Sequence, residues 1–366
     1  MPLYRTYLFL TEHTVPPPNI RGRGWAFIFR NFQVIRDKKK ILKNLPTANY
    51  RTLTSIVKEI KISKYRYKTV YSPELLIQAR SRKKAQQVFH LLQASMALMS
   101  GDCSFDDRLV IPDHQDDFED LATTPWLRDT ANLNTTTTSH LLLACKIAVR
   151  LSLKKKWVHA AFKQLISQKI YSVGYMDLDP DNGKNFTIQG DPYLYVSMSQ
   201  AIQASYSVLE DLKIEIRASK ENPSKLRDRS WNPIVLNCLK DDLRKARIEP
   251  ERSILWHIRN SRSLIERKFP LPAGEKYPWT SGSVRDREIL LVDALHYASQ
   301  LRSRVAAHAT HRLSQRLTAY NVSNVQFLAR IMLLETIGVT PIIGFETPSQ
   351  KKKRVQRWAL KRSVVH

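Results

Sequence analysis

The chain has 366 residues, of which 43% are hydrophobic and 25% charged, and its formal net charge is +26. This hydrophobic fraction excludes a wholly disordered chain, and the length is enough for about two or three domains. The positive charge attracts polyanions, so nucleic acid is the leading expected partner and an anionic membrane surface the second.

The cysteines and the N-terminus indicate the expected compartment. Cys103, Cys145 and Cys238 are far apart and lack zinc-site spacing, and their odd number argues against a disulfide scaffold. The first residues lack the pattern of a signal peptide, and no apolar stretch approaches the length of a membrane span. We therefore expect a cytoplasmic protein with no membrane partner.

Residues 1–71 are predicted to form a β-rich region. Alternation over residues 4–10, and aromatic and β-branched residues over 24–29 and 32–35, favour strands. Residues 65–71 alternate aromatic with basic side chains, a pattern that can stack bases and hold phosphates. The interpretation we favour for them is a plain sheet, with tyrosines packed on a helix and lysines in water.

Residues 72–250 are predicted to be helical. Ser72 and Pro73 form an N-cap and first-turn pattern, which predicts a helix from there to Met99. Further helices are predicted over residues 140–153, 154–170, 196–216 and 231–247. A basic patch lies at Lys154, Lys155 and Lys156, where it could contact nucleic acid, although such runs are usually solvated faces.

An acidic segment interrupts this helical region. Residues 102–120 hold eight acidic residues and one basic residue, which leaves a charge of −7 there and +33 (26 + 7) elsewhere. The acids lack the spacing of a calcium loop, so a solvated loop without a metal is predicted.

Residues 251–345 are predicted to form the C-terminal helices. Residues 284–320 carry apolar side chains at steps of three and four without proline or glycine, which predicts one long amphipathic helix. Residues 322–337 are strongly apolar and are expected to pack against it as an antiparallel partner, while 253–258 fit a short strand or a turn. Residues 346–366 are a basic tail. Its first cations, which could hold RNA phosphates, are Lys351, Lys352, Lys353 and Arg354.

The long predicted helix brings arginines and histidines together. Arg304, His308 and His311 share one helical face, and Arg302 lies about 120° around the axis from His308. A guanidinium can hold a phosphate bidentately and an imidazole titrates near neutral pH, so the group suits phosphodiester chemistry. The alternative is that His308 continues the apolar stripe as a half-buried core residue, with the arginines merely solvated.

The stretch from Arg302 to His308, RSRVAAH, resembles the Arg-x(4–6)-His signature of HEPN domains, with five residues between the arginine and the histidine. Ser303 stands where family members carry a polar residue, most often Asn or Asp. The resemblance implies a metal-independent endoribonuclease without a cofactor, in which His308 transfers protons around the 2′-hydroxyl and Arg302 holds the scissile phosphate. Arg304 and His311 offer a second pair with six residues between them.

The same resemblance implies partners and a biological setting. HEPN proteins usually build their cleft across a homodimer, which implies a homodimer that binds RNA. Members commonly serve in phage defence or as toxins, which is the role implied here.

The motifs of NTPases, dinucleotide-binding enzymes, zincins and α/β-hydrolases do not occur in the sequence, which argues against those classes.

We therefore predict a mainly α protein of the α+β type, a helical bundle with a small N-terminal β-rich region. The rival function is non-catalytic RNA or DNA binding by the basic surface, and a third is an interaction module whose charge keeps it soluble. Burial distinguishes them: Arg302 and His308 side by side in a wet groove favour the enzyme, and His308 walled in by Leu and Val favours a core role.

Overall fold

A computed structural model describes residues 1–9, 17–36, 68–100, 111–112, 138–171, 192–228, 230–257, 287–307, 317 and 319–339. Within these residues the protein is mainly helical with a small antiparallel sheet near the N-terminus, which confirms the predicted fold class. The chain divides into two compact units, Met1–Val158 and His159–His366.

The first unit contains a five-stranded antiparallel sheet with the order β2-β3-β4-β1-β5. Its strands are β1 (Leu3–Phe9), β2 (Ile20–Gly22), β3 (Trp25–Arg36), β4 (Lys68–Ala79) and β5 (Ile111–Pro112). The strands predicted near residues 4–10, 24–29 and 32–35 are therefore confirmed. Leu75, Leu76 and Ile77 of β4 are all fully buried, so both faces of the central strand are covered at this point.

The helix start predicted at Ser72 and Pro73 is wrong, because both residues lie inside β4. Pro73 pairs with Asn31 of β3, whereas the ladder between β4 and β1 ends at the pair of Glu74 and Phe9. At Pro73 the strand therefore has a single neighbour among the described strands, and a residue without an N–H is tolerated there.

The helix begins nine residues later, as α1 (Arg82–Ser100). Ser81 caps it, because its Oγ accepts a hydrogen bond from the backbone N–H of Lys84 at 3.2 Å. α1 packs on β4 and on α2 (Thr138–Leu151), so the core of this unit lies between helices and sheet. The buried residues of α1 include Val88, Leu91, Leu92, Ser95 and Met96.

The second unit is helical around a two-stranded sheet. Its elements are α3 (Lys155–Ile170, which begins before the division), α4 (Pro192–Leu212), α5 (Pro233–Lys245), β6 (Ser253–Trp256), β7 (Arg287–Leu290), α6 (Leu291–Ala307) and α7 (Ala319–Thr336). α4 packs against both α6 and α7. α5 starts as predicted, because Asn232 Oδ1 accepts a hydrogen bond from the N–H of Ile234 at 3.0 Å and Pro233 occupies the first turn.

The long helix predicted for residues 284–320 is wrong at its start, because Arg287–Leu290 form β7 and pair with β6. The backbone N–H of Leu291, the first residue of α6, donates to the carbonyl of Arg252 at 2.9 Å. The strand depends on a partner that is distant in sequence, so helical periodicity could not reveal it. The prediction for 253–258 is confirmed as a strand, and residues 308–316 lie outside the described residues.

α7 begins at Ala319, three residues before the predicted start, and it contacts α6 but packs more extensively on α4. A buried polar network joins α7 to α3 and α4. Gln326 Nε2 of α7 donates to the carbonyl of Tyr171 at 2.8 Å and to Ser167 Oγ at 3.0 Å. Ser205 Oγ of α4 lies 2.7 Å from Ser167 Oγ, so these buried polar atoms satisfy one another and fix how the helices pack.

Candidate functional site

α6 presents Arg302 and Ser303 at the protein surface. The side chain of Arg302 is 46% exposed, and its Nη2 lies 3.1 Å from Glu210 Oε1 of α4. Its guanidinium also lies over the ring of Tyr206, with Cζ 5.7 Å from the ring centroid. Arg302 is thus held in place by two side chains one turn apart on α4, while part of it remains open to solvent.

Tyr206 is the buried part of this contact. Burial raises the pKa of its hydroxyl, and the Glu210 carboxylate adds to that effect, while a hydrogen bond with Ser299 and the charge of Arg302 lower it. The phenol therefore stays protonated at neutral pH. Because Ser299 and Arg302 both belong to α6, Tyr206 and Glu210 together set the position of the predicted phosphate-binding arginine relative to α4.

Three other candidate residues of the long predicted helix have side chains outside the described part of the chain. Arg304 belongs to α6, but its side chain lies outside the described residues, as do His308 and His311. The pairing of Arg302 with His308 therefore stays a prediction. The predicted cations Lys351, Lys352, Lys353 and Arg354 also lie outside the described residues.

The predicted basic patch of the first unit is described. Lys154, Lys155 and Lys156 are all exposed where α2 gives way to α3. The Nζ of Lys154 lies 4.4 Å from the centroid of the Trp157 ring, a cation–π contact that leaves the neighbouring lysines in water. The patch is thus accessible to a phosphate backbone, and it has equally the character of a solvated face.

Sequence analysis missed a polar cluster between α6 and the loop before α5, here called the Asp293 cluster. Asp293 Oδ1 accepts hydrogen bonds from Lys225 Nζ at 3.0 Å and from Trp231 Nε1 at 2.8 Å. The ring of Trp231 lies 5.3 Å from that of His296, and His296 Nε2 is 3.0 Å from Ser224 Oγ. Its members are Ser224, Lys225, Trp231, Asp293 and His296.

The Asp293 cluster fastens the loop to the helix. Lys225 and Trp231 also form an isolated β-bridge, and the side chains of Lys225 and Asp293 are only 26% and 28% exposed. Ser224 beside His296 resembles a nucleophile and its general base. Asp293, however, accepts its hydrogen bonds from Lys225 and Trp231, which favours a structural role for the cluster. Asp293 and His296 stand one turn apart in the sequence, and their loop partners, 68 and 72 residues away, gave no local signal.

α7 buries an arginine that sequence analysis also missed. Arg330 is 7% exposed, and its described contact is with the ring of Phe327, 5.7 Å from Cζ to the centroid. Its Nε has no hydrogen-bond partner among the described residues. Burial lowers the pKa of Arg330 to about 10, so the guanidinium is still charged at neutral pH.

Comparison of the chain with protein-family models, with curated proteins and with solved structures found no match. In the described part of the chain, no group of three or more His, Cys, Asp or Glu side chains is placed to hold a metal ion. None of the described helices has the length and apolar character needed to cross a membrane.

Proposed function

We propose that this chain is a metal-independent endoribonuclease of the HEPN type, a cytoplasmic homodimer that acts in phage defence or as a toxin. The observation that supports it is the placement of Arg302, which is exposed, oriented by Glu210 and Tyr206, and six positions before His308 in the chain. An oriented guanidinium loses little side-chain freedom when it holds a phosphate through two parallel N–H···O bonds.

In the proposed reaction His308 removes the proton of a ribose 2′-hydroxyl. The 2′-oxygen forms a bond to the adjacent phosphorus, the bond from phosphorus to the 5′-oxygen breaks, and the leaving oxygen takes up a proton. Arg302 stabilises the negative charge that develops on the phosphate. Ser303 takes the polar position next to Arg302, and Arg304 with His311 forms the second candidate pair. The products are a 2′,3′-cyclic phosphate and a 5′-hydroxyl.

The Glu210 carboxylate competes with the substrate for Arg302. Ion pairs between partly exposed side chains contribute about 0–1 kcal/mol, so a phosphate can replace or share this partner at little cost. In the proposal, Glu210 is therefore a positioning residue that gives way to RNA.

The test is an RNA cleavage assay in EDTA with wild-type protein and the variants His308→Ala, Arg302→Ala and Arg227→Ala, followed by end-group analysis. Arg227 is an exposed arginine outside the proposed site, so its variant removes the same charge as a control. We expect His308→Ala to lose about 10²–10⁴-fold in rate, the usual worth of a placed proton-transfer group. Cyclic phosphate ends should appear with wild type and with Arg227→Ala. Equal cleavage by wild type and His308→Ala would exclude the proposed role of this histidine.

The second candidate is a non-catalytic nucleic-acid-binding protein. It is favoured by the Arg302–Glu210 ion pair, which engages that charge within the protein, and by the exposed Lys154, Lys155 and Lys156 beside a net charge of +26. It predicts binding without cleavage, weakened about 10³–10⁵-fold between about 50 and 200 mM salt for 6–10 phosphate contacts. Fluorescence anisotropy across that salt range, with the three lysines replaced by alanine, measures the contribution of the patch.

A further inference from the structure

Two side chains of Asp, Glu, Lys or Arg are buried among the described residues, and their surroundings differ sharply. Asp242 of α5 is 9% exposed, and its carboxylate oxygens lie 2.9 Å from Arg217 Nη2 and 3.5 Å from Lys245 Nζ. Arg330 of α7 is 7% exposed and has no acidic partner among the described residues. Within the described part of the chain, the buried anion thus has basic partners and the buried cation has no acidic one.

An unpaired buried charge is costly, because the interior replaces water poorly and a single cation–π contact does not restore the lost hydration. A methionine of similar volume would fill this position without that cost. The contacts of Arg330 with the described residues therefore do not offset the cost of burying its charge. Its fork of N–H donors is suited to a planar or tetrahedral oxyanion.

The position of Arg330 on α7 indicates what surrounds it. Gln326 lies one turn earlier on the same face and donates to Ser167 and Tyr171 at the C-terminal end of α3. Arg330 thus continues a polar face of α7 within the second unit. Its Nε, which takes part in the usual bidentate grip on an oxyanion, is buried and has no partner in the described part of the chain.

We propose that Arg330 is the anion-binding residue of an internal site that takes a terminal phosphate group, supplied either as free phosphate or as the phosphorylated end of an RNA. Because Arg330 is only 7% exposed, a phosphate that carries chain on one side or none suits it better than an internal phosphodiester, which carries chain on both sides. The inference does not depend on whether α6 cleaves RNA.

The test measures the Tm of wild type, Arg330→Met and Arg227→Met as inorganic phosphate is increased. The same proteins in sodium chloride at matched ionic strength give the reference. Arg227 is exposed, so its variant loses the same charge without touching the interior. Phosphate should raise the Tm of wild type and of Arg227→Met to a plateau, because a ligand bound by the native state stabilises it by mass action. Without phosphate, Arg330→Met should unfold at a Tm equal to or above that of wild type.

Affinity for a short RNA with a 5′-phosphate, compared with the same RNA ending in a 5′-hydroxyl, distinguishes the two sources. A preference for the phosphorylated RNA that Arg330→Met loses identifies an RNA end as the ligand. Equal affinity for the two RNAs, together with the phosphate-dependent rise in Tm, identifies free phosphate.

The proposal is overturned if phosphate stabilises wild type no more than sodium chloride does, or if Arg330→Met keeps the full phosphate effect. Arg330→Lys, which keeps the charge and loses the fork, should fold and require more phosphate for the same rise in Tm. If neither variant folds, the proposal is also overturned, because the charge is then needed by the protein's own packing and not by a ligand.

Discussion

Arg302 of α6 and Glu210 of α4 form an ion pair at 3.1 Å in which the two side chains are 46% and 35% exposed. The pair links two helices that pack against each other in the second unit. At this exposure water and salt screen most of the attraction, so the contact orients the guanidinium more than it stabilises the fold. The predicted phosphate-binding arginine is therefore already engaged by a carboxylate of the same protein.

Replacing Glu210 with glutamine separates these two effects. We expect Glu210→Gln to change the free energy of unfolding by less than about 1 kcal/mol, because the pair is solvent-exposed. RNA should bind more tightly, since the guanidinium loses its competing anion. Urea denaturation and fluorescence anisotropy measure the two quantities. Glu251→Gln is the matched control, as Glu251 is 54% exposed and pairs with Lys240 and Arg244. An affinity gain of the same size in that control would contradict the prediction.

The Asp293 cluster should be worth more to stability than an exposed ion pair. In Asp293→Asn the amide carbonyl still accepts from Trp231, but Lys225 is left half-buried without its anion. We expect a loss of about 1–2 kcal/mol in the free energy of unfolding, measured by urea denaturation. Asp241→Asn removes a 60% exposed carboxylate 3.0 Å from Arg244. It should lower the free energy of unfolding by about 0.5 kcal/mol at most. Similar losses for the two variants would show that the cluster adds no stability of its own.

The first unit depends on a close approach of backbone to a buried ring. A Cβ added at Gly22 would lie 2.8 Å from Cδ2 of Trp25, whose ring packs edge-on against Phe27 and is 3% exposed. The ring has no room to withdraw, so Gly22→Ala should destabilise by about 1–3 kcal/mol.

Gly24→Ala is the comparison for that substitution. Gly24 has a φ of +73°, and a Cβ added to it would lie in open space, so alanine there costs only backbone strain, roughly 1–2 kcal/mol. In a Trp25→Leu background the cost of Gly22→Ala should shrink while that of Gly24→Ala stays constant. Thermal unfolding of the single and double variants measures these costs. If Trp25→Leu changed the cost of both glycine substitutions equally, the clash between Gly22→Ala and the Trp25 ring would be refuted.

Alkaline pH should relieve the buried charge of Arg330. Its pKa in the folded protein is about 10, below the usual value of an arginine side chain because of burial, so above pH 10 the unfolded chain holds more protons than the native state. Stability rises with pH wherever the unfolded state binds more protons, so the cost is fully present at neutral pH and diminishes as pH rises through about 10.

Wild type should therefore gain stability relative to Arg330→Met as pH increases from about 8 to about 11 in phosphate-free buffer, with the ionisation of lysines and tyrosines common to both proteins. Urea denaturation at each pH gives the difference. A difference that stays constant, or that moves against wild type, would mean that the guanidinium has an anionic partner in the native state. The same series with phosphate present should show a weaker trend, since a bound anion raises the pKa.

Several features could be predicted because their causes lie within one helical turn or one strand. Asn232 and Pro233 start α5 where the cap and the fixed φ of proline require it. Aromatic and β-branched residues over 24–29 and 32–35 predicted the strand β3. The exposure of Lys154, Lys155 and Lys156 agrees with the expectation that a run of lysines is usually solvated.

Other features depended on partners far away in the chain, and tertiary structure alone decided them. Ser72 and Pro73 carry a helix-start pattern, but pairing of β4 with β3 overrode that local preference. β7 exists because β6 lies beside it, and the Asp293 cluster because a loop 68 residues away reaches α6. The burial of Arg330 arises from the packing of α7, since a charged side chain is ordinarily expected in water. Local sequence patterns determined where most helices and strands form. Contacts between residues distant in sequence determined which strands pair and which charged side chains are buried.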